Sequence, residues 1–232
     1  MSIYAISDLH LSFGVDKPMD VFGPKWHNYM DKLKEAWGKT VAEEDTVLIP
    51  GDISWGTYLD DALEDFRFIN ELPGKKIISK GNHDYWWTTY KKLNKFLNKY
   101  ELNSISFLYN NSFYIEGYWI YGTRGWKDPE DDNFDSDDLR IFNRELVRLN
   151  LSLKSANDND SPKIAMIHYP PVNSMGRHNL FAQAMSDNNT QICVYGHLHY
   201  INDIEPFSGK LLGVDFKFVS AEHLEFKPVE IV

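Results

Sequence analysis

A chain of 232 residues is long enough to bury a sizeable core without covalent cross-links, and its single cysteine, Cys193, excludes an internal disulfide. The net charge of -10 argues against broad electrostatic attachment to nucleic acid or to anionic membranes. No apolar run approaches the roughly 20 residues that cross a bilayer, and the N-terminus lacks the basic start and apolar stretch of a signal peptide. We therefore expect a cytoplasmic protein with small or locally recognised partners.

Short runs rich in Ile, Val and Leu alternate with amphipathic stretches in the first hundred residues. The runs predict buried strands, and the stretches predict helices because their apolar residues recur at helical intervals. The predicted strands cover residues 3–7, 46–50 and 76–79. The predicted helices cover residues 25–39, 59–69 and 84–100.

The second half of the chain begins with closely spaced runs rich in β-branched and aromatic residues. They cover residues 105–109, 112–116 and 118–121 and predict hairpins. Residues 127–160 combine an acidic run at 130–138, a predicted helix at 139–153 and a polar loop at 157–161. We interpret this segment as a lid or an insertion within a single domain of residues 1–232. Further strands are predicted at residues 163–167 and 191–195 and within 211–225.

Potential metal ligands follow five of the predicted strands. The seven candidates are Asp8, His10, Asp52, Asn82, His168, His197 and His199. In open α/β sheets, ligands bind in the crevice beyond the carboxyl ends of the strands. We therefore expect these side chains to converge although they are far apart in sequence.

The local spacing of these candidates also favours a common site. Asp8 and His10 are two positions apart, as are His197 and His199, and an extended backbone would turn both members of each pair to one side. Glycine precedes three of the candidates, where it permits tight turns and a close approach of the backbone to a ligand. These glycines are Gly51, Gly81 and Gly196.

The residue types indicate two transition-metal ions. Histidine nitrogens together with carboxylate and amide oxygens suit Mn, Fe or Zn. Seven candidates exceed the ligands of one tetrahedral zinc. Two divalent ions held by only two carboxylates, Asp8 and Asp52, would leave the site positive and suited to a phosphate anion.

The candidates lie in five short motifs: DLH, GDIS, GNHD, IHYPP and GHLH, in this order between residues 8 and 199. Each motif alone is weak, but the ordered series resembles the signature of the calcineurin-like metallophosphoesterase family. The resemblance implies hydrolysis of phosphate esters. It also implies a four-layer α/β/β/α sandwich with two mixed β-sheets and a dinuclear metal site at the carboxyl edge of the strands.

The resemblance further implies a role for each residue of the motifs. The first ion would be held by Asp8, His10, Asp52 and His199. The second ion would be held by Asp52, Asn82, His168 and His197. Asp52 would bridge the ions, and a hydroxide between them would attack phosphorus. His83 would lie beside the phosphate to stabilise charge or protonate the leaving oxygen, and Asp84 would orient His83.

Several residues near the motifs have two interpretations. Arg124 is a candidate for substrate contact, but a surface ion pair is an equal alternative. Four aromatic residues adjoin the motifs and either stack on a nucleobase or an aromatic leaving group, or pack in the core. They are Trp55, Tyr85, Trp86 and Trp87. The remaining histidines belong to no motif and are interpreted as structural; they are His27, His178 and His223.

The substrate class stays open between a phosphomonoester and a small phosphodiester. After Asp52 the chain reads Ile53-Ser54-Trp55, without the arginine that follows in the serine/threonine protein phosphatases of the family, so protein phosphatase activity is in doubt. One alternative is a non-catalytic, metal-stabilised phosphate-binding scaffold. Another is a nuclease, which the acidic charge balance disfavours. The sequence sets no oligomeric state.

Overall fold

The computed structural model describes residues 1–156, 160–199 and 205–232. Its strands are β1 (Ile3–Ala5), β2 (Thr46–Pro50), β3 (Lys75–Ser79), β4 (Ile105–Phe107), β5 (Phe113–Ile115), β6 (Tyr118–Thr123), β7 (Lys163–Ile167), β8 (Thr190–Tyr195), β9 (Gly209–Leu211), β10 (Val214–Phe218) and β11 (Val229–Glu230). Its α-helices are α1 (Tyr29–Thr40), α2 (Leu63–Glu71), α3 (Tyr90–Lys99), α4 (Ser136–Lys154) and α5 (Leu180–Asp187). Within the described ranges, no helix combines the length and apolar character needed to span a bilayer.

The strands form two mixed sheets. In the first, the order is β11-β1-β2-β3-β4, and only β11 runs antiparallel to its neighbour. In the second, the order is β5-β6-β7-β8-β10-β9, with antiparallel strands at both edges and a parallel centre. The parallel strands of each sheet therefore present their carboxyl ends at one edge.

Three apolar clusters separate four layers. Helices α1, α2 and α3 bury residues such as Trp37 and Phe66 against the outer face of the first sheet. Helices α4 and α5 bury Phe142 and Phe181 against the outer face of the second. A third cluster fills the space between the sheets, where Leu48 of β2 meets strands β7 and β8. The predicted four-layer α/β/β/α sandwich is confirmed.

The helices begin at other residues than the sequence predicts, and their caps explain why. Helix α1 starts after Asn28, which adopts a left-handed conformation with φ of 50°. Helix α3 starts after Thr89, whose side chain accepts a hydrogen bond from the backbone of Lys92. Helix α4 starts inside the acidic run, because Asp135 and Asp138 form a capping box.

The strands after residue 100 also differ from the prediction. Strands β5 and β6 form the expected hairpin, but β4 pairs in parallel with β3 in the other sheet. Helix α5 and strand β11 were absent from the sequence-based prediction. Within the predicted lid or insertion at 127–160, α4 belongs to the outer helical layer, and the single-domain organisation stays a prediction. The predicted polar loop at 157–161 lies mostly outside the described residues.

Helix α2 is tied to the loops that follow β1 and β2 by a buried carboxylate. Asp65 is fully buried, and it accepts hydrogen bonds from the Phe13 amide, at 2.7 Å, and from the Ser54 hydroxyl. Burial raises the pKa of Asp65 to about 6, although both hydrogen bonds favour its charged form. The loops that carry Asp8, His10 and Asp52 are thus anchored to the helical layer.

Asp65 should make folding stability depend on pH. Its pKa is higher in the folded chain than the ordinary 3.8, so its contribution is fully present below that value and is lost as the pH rises through about 6. We expect Asp65→Asn to remove up to ~3 kcal/mol of the change in unfolding free energy between pH 4 and pH 7. Urea denaturation across this range measures the effect. The exposed Asp60→Asn is the control, and equal pH slopes in all three proteins would refute the assignment.

Candidate metal centre

Each predicted ligand follows the carboxyl end of a parallel strand. Asp8 and His10 follow β1, Asp52 follows β2, Asn82 follows β3, His168 follows β7, and His197 and His199 follow β8. The first three strands belong to one sheet and the last two to the other. The candidate site is therefore formed by both sheets at one edge of the sandwich.

One group of these side chains surrounds His10. Its Nε2 atom lies 3.0 Å from Nε2 of His199 and 3.8 Å from Oδ2 of Asp52. One ligand atom each from Asp8, His10 and His199 lies within 4.8 Å of the others, so these three residues could hold one ion. Together with Asp52, they are the residues predicted for the first ion.

A second group surrounds Asn82. Its Oδ1 atom lies 2.7 Å from Nε2 of His168 and 2.8 Å from Nδ1 of His197. The same nitrogen of His168 lies 3.2 Å from Nδ1 of His197 and 3.4 Å from Oδ2 of Asp52. The four residues predicted for the second ion are thus connected to one another through His168.

The atoms that face each other fit a cation. Nδ1 of His168 lies 3.0 Å from the Pro50 carbonyl oxygen, which can only accept, so Nδ1 donates, and a ring that has lost its second proton to a bound cation would present a lone pair at Nε2. That lone pair faces the Asn82 and Asp52 oxygens. Oδ2 of Asp52 is buried and has no well-oriented hydrogen-bond donor among the described residues. Such a cluster of acceptors is stabilised by positive charge placed between them, which divalent ions would supply.

Four of the candidate ligands have a left-handed backbone. The φ angles are 57° at Asp8, 45° at His10, 53° at Asp52 and 75° at His197. The prediction that extended backbone aligns each pair of ligands is therefore wrong, although the side chains do converge. Such conformations cost free energy in residues other than glycine and cluster at functional sites.

Two glycines are required by the close approach of the ligand loops. A Cβ atom at Gly81 would overlap Oδ1 of Asp52, and one at Gly196 would overlap Oδ2 of Asp8. The Asp8 carboxylate also accepts from the backbone amide of His197, at 3.0 Å and 3.1 Å to its two oxygens. Each glycine thus lets a loop from one strand end lie directly on a carboxylate from another.

Asp84 holds two of the ligand loops together. Its buried carboxylate accepts from the backbone amides of Asp52 at 3.0 Å, Ile53 at 2.8 Å and Gly81 at 2.7 Å. Among the described residues it makes no hydrogen bond to the His83 ring, which differs from the predicted orienting contact. The geometry gives Asp84 the task of positioning the loops after β2 and β3.

His83 lies at the edge of the cluster and is half-buried. Its backbone amide donates to Oδ1 of Asp52 at 2.8 Å, and its ring centroid lies 5.6 Å from that of His10 and 4.7 Å from that of Trp55. Burial lowers the pKa of His83, although Asp52 raises it. The His83 ring contacts both a candidate ligand and an aromatic neighbour at the edge of the site.

Burial and mutual charge shift the pKa values of the remaining groups. Burial lowers the pKa of His10 to about 3. Burial also lowers the pKa of His168, but the carboxylates of Asp52 and Asp8 outweigh it and raise that pKa to about 9. Burial and the neighbouring Asp52 raise the pKa of Asp84 to about 7, against the N–H groups of Gly81 and Ile53. The buried carboxylates therefore draw positive charge to His168.

Arg124 follows β6 and faces Glu145. Its Nη2 atom lies 3.4 Å from Oε1 of Glu145, its side chain is only 11% exposed, and its guanidinium carbon lies 4.3 Å from the Trp126 ring centroid. The ion pair is thus largely buried rather than on the surface. Substrate contact by Arg124 stays a prediction.

The aromatic residues beside the motifs divide between the core and the site. Trp86 is buried against Phe66, and Trp87 packs on Phe107. Tyr85 is 61% exposed. Trp55 stacks on the His10 ring, with centroids 4.9 Å apart and planes 22° apart. Only Trp55 of these four packs on a candidate ligand.

Two contacts that position ligands were not found in the sequence. Oε2 of Glu222 lies 3.7 Å from Nδ1 of His199, which leaves Nε2 to face His10. The Pro50 carbonyl oxygen fixes the ring of His168 from the other side of the site. Neither contact has a sequence signal, because one uses a carboxylate outside any motif and the other uses the backbone.

Asp84→Ala tests the anchoring of the ligand loops. The change leaves three buried amides without their acceptor, so we expect the unfolding free energy to fall by about 3 kcal/mol or more. Urea denaturation of the metal-free protein measures this loss without reference to activity. Asp132→Ala removes an exposed carboxylate and serves as the control. A loss no larger than that of the control would contradict the proposed anchoring.

Comparisons with solved structures agree with the fold. A protein of unknown function from Aquifex aeolicus is 19% identical, with a TM-score of 0.54 and coverage of 99% of this chain and 95% of that one. A phosphopantetheinyl hydrolase from Mycobacterium tuberculosis is 13% identical, with a TM-score of 0.60 and coverage of 100% and 95%. At these identities the similarity shows the fold alone.

Comparison with curated protein sequences gives no match. The profile of the calcineurin-like phosphoesterase family, however, matches residues 1–200, which include every candidate ligand. The residues beyond the match contribute strands β9, β10 and β11 and Glu222. The chain belongs to the calcineurin-like phosphoesterase family and is a metal-binding hydrolase of phosphate esters.

Proposed function

We propose that this protein hydrolyses a phosphomonoester or a small phosphodiester with two divalent ions, of Mn, Fe or Zn, held at the carboxyl edge of both sheets. The observation that carries the proposal is the position of Asp52. Its Oδ2 atom lies 3.8 Å from His10 and 3.4 Å from His168, between the two groups of candidate ligands. A carboxylate in this position is suited to bridge the two ions.

The proposed ligand sets follow the two groups. Asp8, His10, Asp52 and His199 would hold the first ion. Asp52, Asn82, His168 and His197 would hold the second ion. When bound, two such ions would supply an activated water and neutralise the charge of the phosphate.

Residues of this chain would position the metal ligands and supply a proton to the leaving oxygen. Asp84 and the Pro50 carbonyl hold the ligands in place before the ions bind. We assign His83 to the substrate phosphate, where its ring would stabilise charge or donate a proton to the leaving oxygen. Its half-buried position beside His10 supports this role, because the ring reaches the site and solvent.

The alternatives differ in what they require of the site. A non-catalytic scaffold would bind phosphate without hydrolysing any ester, and a nuclease would act on a polyanion. The net charge of -10 supports a small substrate over a nuclease. The phosphopantetheinyl hydrolase of similar fold makes a phosphopantetheinyl ester a useful member of the substrate screen. A cytoplasmic location stays a prediction.

Hydrolysis of p-nitrophenyl phosphate and of bis-p-nitrophenyl phosphate with added Mn²⁺ tests the proposal. We expect turnover by the wild-type protein, and no detectable turnover by Asp52→Asn or His168→Ala, because each removes a proposed ligand. His178→Ala, a change at an exposed histidine outside the site, should keep wild-type activity.

Circular dichroism should show that both inactive variants remain folded. Wild-type activity and full metal loading in both variants would contradict the ligand assignment. Saturable phosphate binding without hydrolysis of any screened ester, nucleotides and phosphopantetheinyl esters included, would favour the scaffold.

A further inference from the structure

A largely apolar cavity opens at the proposed ligands of the first ion. Its volume is about 280 Å³. Its lining combines four apolar residues, Met19, Phe22, Trp26 and Trp55, with four polar ones, His10, His83, His199 and Glu222. The volume lies near the lower end for small-molecule sites, and it suits one or two rings rather than an extended ligand.

The walls of this cavity are fixed by packing. Met19 and Trp26 are 5% and 2% exposed, and Nε1 of Trp55 donates to the Met19 sulfur at 3.0 Å. Trp26 also packs edge-on against Phe226, with ring centroids 5.2 Å apart. The cavity is thus formed without a ligand, which reduces the entropy lost on binding.

Phe22 lies at the rim and is 57% exposed although it is large and apolar. It ends a short 3₁₀ helix, Met19–Phe22, which carries Met19 on the inside of the cavity. An exposed aromatic ring at the mouth of an apolar cavity can cover a bound ring by stacked or edge-to-face contact. The rim therefore adds an apolar contact for a ligand that enters the cavity.

A second cavity, of about 260 Å³, lies on the His197 side of the site. Trp126, Tyr169 and Val172 line it together with the charged residues Lys127, Asp128 and Asp131. His83 lines the first cavity and not the second among the described residues. Because we assign His83 to the leaving oxygen, the group attached to that oxygen should lie in the first cavity.

We propose that the cavity of Met19, Phe22, Trp26 and Trp55 binds an aromatic leaving group of one or two rings, attached directly to the scissile phosphate. The proposal rests on the proposed function. In the reaction, the oxygen of water forms a bond to phosphorus and the bond from phosphorus to the ring-bearing oxygen breaks. The ring-bearing alcohol leaves with a proton, and inorganic phosphate or a phosphomonoester remains.

Binding of non-hydrolysable phosphonates tests the cavity without turnover. In naphthylmethylphosphonate a carbon atom stands in for the leaving oxygen, and methylphosphonate lacks the rings. By calorimetry on the wild-type protein with added Mn²⁺, we expect the naphthyl compound to bind at least about tenfold more tightly, because aromatic burial contributes on this scale. Phe22→Ala should reduce this preference by about fivefold.

A neighbouring residue provides a matched control. Val21 belongs to the same 3₁₀ helix, is 71% exposed and does not line the cavity among the described residues. Val21→Ala should therefore keep the wild-type preference. In kinetics, Phe22→Ala should lower the ratio of kcat/KM for 1-naphthyl phosphate to that for methyl phosphate by about fivefold, whereas Val21→Ala should not.

The possible outcomes distinguish a wrong cavity assignment from a wrong proposed function. Equal affinity for the two phosphonates, or an unchanged preference in Phe22→Ala, with ester hydrolysis intact, would overturn the cavity assignment and leave the proposed function standing. Failure to bind either phosphonate together with failure to hydrolyse any ester would overturn the proposed function and the cavity assignment with it.

Discussion

A buried cluster of like-charged and acceptor groups is the constraint on which the structure depends. Asp8 and Asp52 are 0% and 1% exposed, and the histidines His10 and His168 around them are equally buried. Burial of two carboxylates costs free energy unless positive charge compensates it. The same two carboxylates raise the pKa of His168 against the effect of its burial. Divalent ions fit this requirement better than a single proton.

The fold is organised around bringing these groups together. Five strand ends from two sheets meet at one edge, and the apolar cluster between the sheets holds the two sheets together. The left-handed backbone at four ligands costs free energy. Asp84 binds the backbone amide of one of them, Asp52, and Asp65 holds the loops that follow β1 and β2. Stability and function thus share the same loops.

The sequence predicts the parts of the site that have local patterns. Strand ends followed by Asp52, His168 or His197 can be recognised, and the glycines before them indicate close backbone contact. The four layers follow from the family resemblance of the ordered motifs rather than from periodicity. The apolar runs predict the bounds of the core strands to within one or two residues; β3 and β8 are each one residue longer than predicted.

Contacts between distant segments explain what the sequence does not predict. The sequence predicts that a helix begins at Asp84. In the structure, the Asp84 carboxylate accepts from backbone amides of the loop after β2, and α3 begins six residues later, at Tyr90. The parallel pairing of β4 depends on the free edge of β3, which no local pattern reveals. The positioning of His199 by Glu222 also joins segments that share no motif.

Anomalous diffraction from crystals grown with Mn²⁺ tests the central claim most directly. Two anomalous peaks about 3.5–4 Å apart, on either side of the Asp52 carboxylate, are expected if the two groups of ligands each hold an ion. A single peak, or none, from crystals grown in excess Mn²⁺ would contradict a dinuclear centre at this edge of the sandwich.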